Sequence, residues 1–425
     1  MTFGGAQQVI VRINGVLPDI SEIGDEAKSA RAAEVKREGV LTNTSCSIFA
    51  KSAADTFHLL VDIGAGVVDS IKNGIKDLGL VDKVVPDALL VTHAHEDHIN
   101  DLQSLFSLAS GAGHRLKIYC TKECKDQITK RHSVPEEHSF IVVEHGSRLD
   151  IGPFSVVPIS AIHDPTGTDH GSVIYVIMSD GIKIIAGWDF LSLPEEDFDL
   201  LWNPDLLILG TQTYNDHPST GMISVSEAYG LVRRWNAKEC YIVHYSGLKD
   251  FDDAINQWFR GPKRAMTSSE LQKSIDDHLQ VTGDNGRFRM IVARQGMIWR
   301  PLAKSEEAAK GTIHIESLQK YIMQLDNTGG KLDLMIEDTT HRLSLEFVNP
   351  RKTGHGTLWA DPVKGLMMKG PQMEMSVIFE PAPSIKVNIT RGKKPVFVQN
   401  ILVSKKDAER MVEFIDKNFA SGSAG

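Results

Sequence analysis

The feature that most constrains the chain is the run His93-Ala94-His95-Glu96-Asp97-His98, in which five of six residues are ionisable. It follows the apolar run Leu89-Leu90-Val91, which predicts a buried strand that ends at the motif. Side chains two apart share one face of an extended segment, so His93 and His95 can bind one cation. If the chain then enters the helix that residues 99–106 indicate, Asp97 and His98 are carried to a second position. The loop is therefore predicted to serve two metal ions.

The alternative interpretation of this run is a solvated polar turn. Three imidazoles and a carboxylate behind a buried strand would suffer desolvation without a cation, and they would repel one another whenever the histidines are charged. Metal binding is the better interpretation, because imidazole and carboxylate are common ligands of zinc.

Composition is that of a globular protein, with 41% hydrophobic and 24% charged residues. A chain of 425 residues can bury a large core and is expected to hold two domains. No apolar stretch approaches the roughly 18 residues of a spanning helix, and no basic flank precedes the first apolar run. We therefore expect no membrane segment, no secretory signal and a cytoplasmic location. The four cysteines lack the usual redox or zinc spacing, so we expect reduced thiols.

The net charge of −9 argues against avid, nonspecific nucleic-acid binding by the whole surface. The cluster Arg260-Gly261-Pro262-Lys263-Arg264 remains a candidate for a local contact, although a solvated loop explains it as well. A small molecule or nucleotide is thus the expected substrate, and extended nucleic acid is not supported by charge.

Further candidate ligands stand where other apolar strands end, and loops on a rigid scaffold commonly carry function. Residues 57–61 run into Asp62, residues 155–162 into His163, and residues 240–243 into His244. A predicted hairpin has strands at 172–178 and 182–186 around the turn Ser179-Asp180-Gly181, and leads to Asp189.

Two further patterns bear on these positions. Ser224 and Glu227 occupy capping-box positions and predict a helix to about Trp235. His170 competes with His163 as the next candidate ligand after His98. His163 is preferred because it terminates a predicted strand, and a metal ligand needs a rigid base. His114, His132, His138 and His145 follow no comparable strand and are expected at the surface.

In this order the motifs resemble those of the metallo-β-lactamase superfamily, over roughly residues 1–302. The matching positions are Asp62 for its strand-end aspartate, His93, His95, Asp97 and His98 for its signature loop, His163 for its third-motif histidine, Asp189 for its bridging aspartate and His244 for its last histidine. The resemblance implies an α/β fold, a four-layer αββα sandwich with two mixed sheets packed face to face, helices outside, and the metal site along one edge.

The resemblance also implies a division of the ligands between two metals. His93, His95 and His163 would hold one metal, Asp97, His98 and His244 the other, and Asp189 would bridge them. Asp97 and Asp189 are the expected catalytic carboxylates of a hydrolase, in which cations about 3.5–4 Å apart share a hydroxide. Nitrogen and carboxylate ligands suit zinc first, with manganese, iron or nickel as alternatives. Asp62 is expected to orient a ligating histidine or to form a turn.

The substrate is less constrained than the reaction. His163 stands in Ala161-Ile162-His163-Asp164-Pro165 rather than the Gly-His-Thr-Pro-Gly setting of many lactone, thioester and β-lactam hydrolases, which favours a phosphodiester. Residues 220–228 resemble the segment before the last histidine of phosphodiesterase and tRNase-Z-like members, but Met222 stands where their proton-donating histidine would be. His217, His170 or a metal-bound water would then protonate the leaving group. A lactone, ester or β-lactam hydrolase and a non-catalytic, metal-stabilised binding module are the alternatives.

After a linker at residues 303–312, residues 313–420 are expected to form a small α+β domain, followed by a flexible tail at 421–425. We expect a helix at 315–325, strands at 331–336, 343–348, 373–379, 384–390 and 396–402, and a closing helix at 405–418. An interaction, homo-oligomerisation or substrate-covering role is the expectation for this domain.

Overall fold

The computed structural model divides the chain into two compact units, Met1–Pro301 and Leu302–Gly425. The first unit is described at residues 8–19, 34, 42–52, 55–80, 83–163, 171–195, 197–218, 220–247, 264 and 266–301. The second is described at residues 312–316, 322–328, 331–337, 342–348, 357–361, 365–369, 373–378, 384–391, 394–403 and 408–412.

One seven-stranded sheet of the first unit is antiparallel in one half and parallel in the other. Its strands are β1 (Gln8–Gly15), β2 (Ser45–Lys51), β3 (Thr56–Val61), β4 (Ala88–Leu90), β5 (Lys117–Cys120), β6 (Ser139–Val142) and β14 (Ile298–Trp299). They lie in the order β14-β1-β2-β3-β4-β5-β6. Neighbours from β14 to β3 are antiparallel and those from β3 to β6 are parallel.

The second sheet repeats this plan. Its strands are β7 (Leu149–Ile151), β8 (Phe154–Ser160), β9 (Val173–Ser179), β10 (Ile182–Gly187), β11 (Leu206–Gly210), β12 (Glu239–Val243) and β13 (Arg289–Val292). The order is β13-β12-β11-β10-β9-β8-β7, parallel from β13 to β10 and antiparallel beyond. β13 and β14 follow one another in the chain, but they belong to different sheets.

Helices lie on the outer faces of both sheets. In the described part of the unit they are α1 (Val67–Asp77), α2 (Glu96–Ile99), α3 (Leu102–Gly111), α4 (Lys122–Arg131), α5 (Phe198–Leu201), α6 (Val225–Arg234) and α7 (Ser268–Thr282). None of the helices in the described part of the chain is both long and apolar enough to cross a membrane.

Alternation along the strands builds three apolar layers. Leu59 and Val61 of β3 and Ile208 of β11 enter one core between the sheets, whereas Leu60 packs under the helices of the first sheet and Leu207 under those of the second. Successive side chains of a strand face opposite sides, so each central strand is buried on both faces. This arrangement confirms the expected αββα sandwich.

The local signals near the ligands are also confirmed. Asp180 and Gly181 join β9 to β10 with φ of 49° and 76°, the left-handed pair that a tight hairpin favours. The Ser224 side chain accepts from the Glu227 backbone N–H, and the Glu227 carboxylate accepts from the Ser224 backbone N–H, so α6 begins with the expected capping box. The expected surface position of His138 is wrong: its ring is buried, stacks on Phe106 and accepts a hydrogen bond from the Leu116 backbone.

The second unit contains two antiparallel sheets in its described part. One comprises β15 (Thr312–Glu316), β16 (Ile322–Thr328), β17 (Lys331–Glu337) and β18 (Arg342–Val348). The other comprises β19 (Thr357–Asp361), β20 (Gly365–Lys369), β21 (Met373–Ile378), β22 (Ser384–Arg391) and β23 (Lys394–Leu402). A helix, α8, covers residues 408–412.

The expected helix at 315–325 is wrong. That span contains the end of β15 and the start of β16, and the register pairs Ile313 with Leu325 and Ile315 with Met323. Apolar residues at every second position fit this pairing, and non-local strand partners override the local helical pattern. The tail at 421–425 and residues 303–311 of the expected linker lie outside the described residues.

Candidate metal centre

The candidate ligands meet at the carboxyl ends of strands from both sheets. His93 to His98 follow β4, His163 follows β8, Asp189 follows β10 and His244 follows β12. Two backbone hydrogen bonds tie the sheets together here, from Val173 N to the carbonyl of Thr92 and from His244 N to that of Val16. The site is thus built on strand ends that are fixed relative to one another.

One group of potential metal ligands consists of His93, His95, His163 and Asp189. The Nδ1 atom of His95 lies 3.0 Å from Nε2 of His93 and 3.2 Å from Nε2 of His163. The Asp189 Oδ2 atom lies 3.5 Å from the His93 nitrogen and 3.9 Å from that of His163. Three imidazole nitrogens and one carboxylate oxygen therefore converge on one point.

A second group consists of Asp97, His98, Asp189 and His244. The Asp97 Oδ2 atom lies 3.1 Å from Nε2 of His244 and 3.3 Å from Nε2 of His98. Asp189 approaches the same nitrogens, with Oδ2 3.1 Å from that of His98 and Oδ1 3.5 Å from that of His244. Because Asp189 belongs to both groups, it lies where a bridging ligand would be required.

Asp62 contacts His98 of the second group on the side of the ring that faces away from the other ligands. Its carboxylate lies 2.8 Å from Nδ1 of His98, and it accepts bonds from the Thr92 backbone (2.7 Å), the Thr92 hydroxyl (2.6 Å) and the Trp188 indole (2.7 Å). A carboxylate that holds the Nδ1 proton of a histidine directs its Nε2 lone pair to the opposite side. The structure therefore favours the orienting role of Asp62 over that of a simple turn residue.

His163 is held in a similar way by a backbone carbonyl. Its Nδ1 atom lies 2.8 Å from the oxygen of Gly221, in the loop before α6. Nδ1 is thus the donor, and Nε2 presents a lone pair to the first group. The loop that precedes the Ser224 capping box therefore helps to orient His163.

Burial and charge act against each other in this cluster. Burial works to raise the pKa of Asp97 and of Asp189, but His98 and His244 outweigh it and hold both pKa values well below the usual range. Burial, then the charge of His98, lower the pKa of His93. The pKa values of His98 and His244 are raised, because the carboxylates outweigh the burial that would lower them. The cluster thus combines ionised carboxylates with buried imidazoles, and its negative charge is balanced either by a bound cation or by protons on the histidines.

The residues present fit a divalent metal. The Asp189 Oδ1 atom is buried and has no hydrogen-bond partner among the described residues, although an unpaired buried carboxylate oxygen is costly. Bound metal would satisfy this oxygen and the converging imidazole nitrogens. Histidine and aspartate ligands without cysteine suit divalent cations of the zinc, manganese, iron and nickel class.

The site opens into a cavity of about 370 Å³. Besides five of the candidate ligands, the described residues that line it are Asp19, Glu96, Arg131, Gln212, Gly221 and Met222. A cavity of this size suits a small molecule.

All seven predicted ligands are brought together, and their metal-binding role remains a prediction. His170, the competitor of His163, and residues 260–263 of the basic cluster lie outside the described residues. His217 is not among the described residues that line the cavity, whereas Met222 is. The sequence interpretation missed Asp19, Arg131 and Gln212. Only their tertiary position singles them out, because none of them follows a motif of its own.

A family described as the beta-lactamase superfamily domain matches residues 60–245. No curated protein matches the sequence of the chain. Among solved structures, the metallo-beta-lactamase fold protein YhfI from Bacillus subtilis has a TM-score of 0.49 and 19% identity, covering 69% of this chain and 100% of YhfI.

Two further crystal structures have a similar fold. A diphosphatase from the PhnP family has a TM-score of 0.48 and 14% identity, covering 70% of this chain and 99% of that protein. The short form of human tRNase Z has a TM-score of 0.43 and 14% identity, covering 69% of this chain and 100% of that protein. These similarities concern the fold.

Proposed function

We propose that the protein is a hydrolase that uses two divalent metal ions, with zinc as the first choice, because residues 60–245 match the beta-lactamase superfamily domain and contain both candidate ligand groups. The observation that carries the proposal is the pair of four-residue ligand groups that share Asp189 at the floor of an open cavity. A purely structural metal site has no need of open positions.

Each candidate ligand, and each group that orients a ligand, has a defined role in the proposed site. His93, His95 and His163 would hold one cation, Asp97, His98 and His244 the other, and Asp189 both. Bound cations of this kind supply a nucleophile from water near neutral pH and offset the charge that develops on the attacked group. Asp62 and the Gly221 carbonyl fix the orientation of His98 and His163, so that the Nε2 lone pairs of both rings face the positions that the cations would occupy.

A phosphodiester of nucleotide size is the proposed substrate class. Nine of the eleven described residues that line the cavity are polar or charged, the others being Gly221 and Met222. Two divalent cations and Arg131 would bring five positive charges against the four carboxylates of Asp19, Glu96, Asp97 and Asp189 that line the cavity, and a net positive charge favours an anionic substrate. Met222 has no proton to donate, so the leaving group must take its proton from water or from another group.

The test compares substrates on the zinc-loaded protein. We expect turnover of bis-p-nitrophenyl phosphate to exceed that of an acyl lactone and a chromogenic β-lactam. Asp189→Ala should reduce phosphodiester turnover on the order of 100-fold or more, the scale on which single stabilising groups act. Asp126→Ala is the matched control, because Asp126 lies on α4 and its carboxylate forms an exposed ion pair with Lys122.

The alternatives correspond to distinct outcomes. Faster hydrolysis of the lactone or β-lactam would replace the phosphodiester assignment and keep the metal site. No turnover of any substrate with two zinc ions bound would favour a binding module. Full activity and full zinc content in Asp189→Ala would contradict the ligand assignment.

A further inference from the structure

Arg131, the last residue of α4, forms a hydrogen bond with the backbone of the signature loop. The carbonyl of Ala94, which lies between His93 and His95, accepts a hydrogen bond from Nη2 of Arg131. We infer that Arg131 is a positioning residue that fixes His95 within the first ligand group. The inference rests on the proposed metal site, and it assigns a role to a side chain that belongs to neither ligand group.

The first half of the loop needs such an anchor because residues 91–95 lie between two regular elements and belong to neither. β4 ends at Leu90 and α2 begins at Glu96. The Thr92 end is fixed by Asp62 and by Val173 of the other sheet. Ala94 is fully buried, and a buried carbonyl without a partner costs roughly 1–3 kcal/mol. The bond from Arg131 satisfies this carbonyl at the centre of the loop.

Arg131 also contacts Glu96, the residue that follows His95 in the sequence. Its Nη1 atom donates to Oε1 of Glu96 at 2.9 Å, while Nη2 and Nε donate to the side chain and the backbone of Gln127, each at 3.3 Å. The planar guanidinium is thus held to its own helix and reaches both neighbours of His95. Because guanidinium donors are arranged as a rigid fork, the distance between these two contacts is fixed.

His95 is the ligand of the first group that this contact fixes. Its Nδ1 atom is the one that approaches the nitrogens of both His93 and His163. The ion pair itself is exposed, with 36% of the Arg131 side chain and 50% of the Glu96 side chain accessible, and exposed pairs contribute little stability. The geometry of the fork, and not its charge, is therefore the property that the site uses.

A substrate-binding role is the competing interpretation, because Arg131 also lines the cavity. The two roles predict different effects of replacing Arg131 with lysine. Lysine keeps the positive charge that an anionic substrate would need, but its ammonium cannot reproduce the planar fork to Ala94 and Glu96. Arg131→Lys should therefore impair metal binding if Arg131 positions the loop, and should spare it if Arg131 only attracts substrate.

The experiment measures zinc affinity in the full chain by competition with a chromogenic chelator. We expect two zinc ions per wild-type molecule. In both Arg131→Lys and Arg131→Gln, one of them should bind about 10- to 100-fold more weakly, the usual effect of removing a group that orients a ligand, while the other stays within about threefold. Lys122→Gln on the same helix removes an exposed cation paired with Asp126 and should match the wild type.

Each result has a separate meaning. Wild-type zinc affinity in Arg131→Lys with a raised KM would overturn the inference and make Arg131 a substrate contact. Equal weakening of both zinc ions would also overturn it, since the bond to the Ala94 carbonyl acts between His93 and His95, two ligands of the first group. Absence of zinc from the wild type would instead overturn the proposed function. If Arg131→Gln fails to fold, as judged by circular dichroism, Arg131→Lys alone decides between these results.

Discussion

Two residues of the site adopt a backbone conformation that residues other than glycine usually avoid. Asp62 and His244 both have φ of 57°, in the left-handed region that costs a non-glycine residue roughly 1–2 kcal/mol. Each stands directly after a strand, where a sharp turn of the chain is needed to carry the side chain to the edge shared by the two sheets. The four hydrogen bonds to the Asp62 carboxylate offset this cost at one of the two positions.

Gly64 shows how closely two segments approach one another beneath the site. A Cβ atom at this position would lie 1.7 Å from the carbonyl oxygen of Asp97 and 2.6 Å from Cβ of Asn43. We expect Gly64→Ala to lower the free energy of unfolding by about 1–3 kcal/mol or more through overpacking, and to reduce zinc binding because Asp97 is displaced. Urea denaturation and zinc titration measure the two effects.

Gly230 provides the matched control. It lies within α6, and a Cβ atom there would meet nothing within 4 Å. Gly230→Ala should therefore stabilise the protein by about 0.5–1 kcal/mol through helix propensity. An unchanged urea midpoint and zinc affinity in Gly64→Ala would contradict the close approach of these segments.

His58 should make stability depend on pH. The ring is fully buried, stacks on Phe49, and bonds the Lys83 carbonyl at 2.9 Å and the Ser47 hydroxyl at 2.8 Å. Burial lowers its pKa to about 3 from 6.5. Between these values the unfolded chain binds a proton that the folded chain does not. Stability is thus complete above pH 6.5 and falls as the pH drops towards 3, by at most about 1.4 kcal/mol per pH unit.

The measurement is the slope of unfolding free energy against pH between 6.5 and 4, in metal-free protein. His58→Gln should show a shallower slope than the wild type, whatever its stability at pH 7. The other ionisable groups are common to both proteins, so their effects cancel in the difference. Equal slopes would contradict the lowered pKa.

At the scale of secondary-structure elements, the sequence predicts the features that a local sequence pattern marks. Asp62, His163, Asp189 and His244 each follow an apolar strand, and the capping box marks the start of α6, so local chemistry is enough to locate them. Arg131 carries no such signal, because it reaches Ala94 only after α4 returns the chain to the loop. The strands β15 and β16 were missed for the same reason: short apolar runs fit either period, and pairing between segments decides.

The edge of the second sheet is closed by a side chain of α7. β13 is the last strand of this sheet, and Gln272 donates to the Met290 carbonyl at 3.0 Å and accepts from Val292 N at 2.7 Å. The amide thus takes the place of a neighbouring strand. Gln272→Ala should lower the free energy of unfolding by about 1–3 kcal/mol, the contribution of two hydrogen bonds, and should promote association through the exposed edge.

Urea denaturation and light scattering at increasing concentration test this prediction. Lys273→Ala is the control, because Lys273 is the next residue of α7 and forms an exposed pair with Asp277. Unchanged stability and scattering in Gln272→Ala would show that the strand edge needs no cover.

At the scale of the molecule, all the candidate ligands lie in the first of two compact units. A chain with separate cores need not unfold in one step, so we expect two calorimetric transitions. A ligand that binds only the native state stabilises by about 2.7 kcal/mol at a concentration 100 times its Kd. Zinc should therefore raise the midpoint of one transition, and chelation should lower the same one, while the other stays fixed. Asp189→Ala should abolish the zinc-dependent shift and leave the second transition in place. A single transition that zinc moves as a whole would show instead that the two units unfold together.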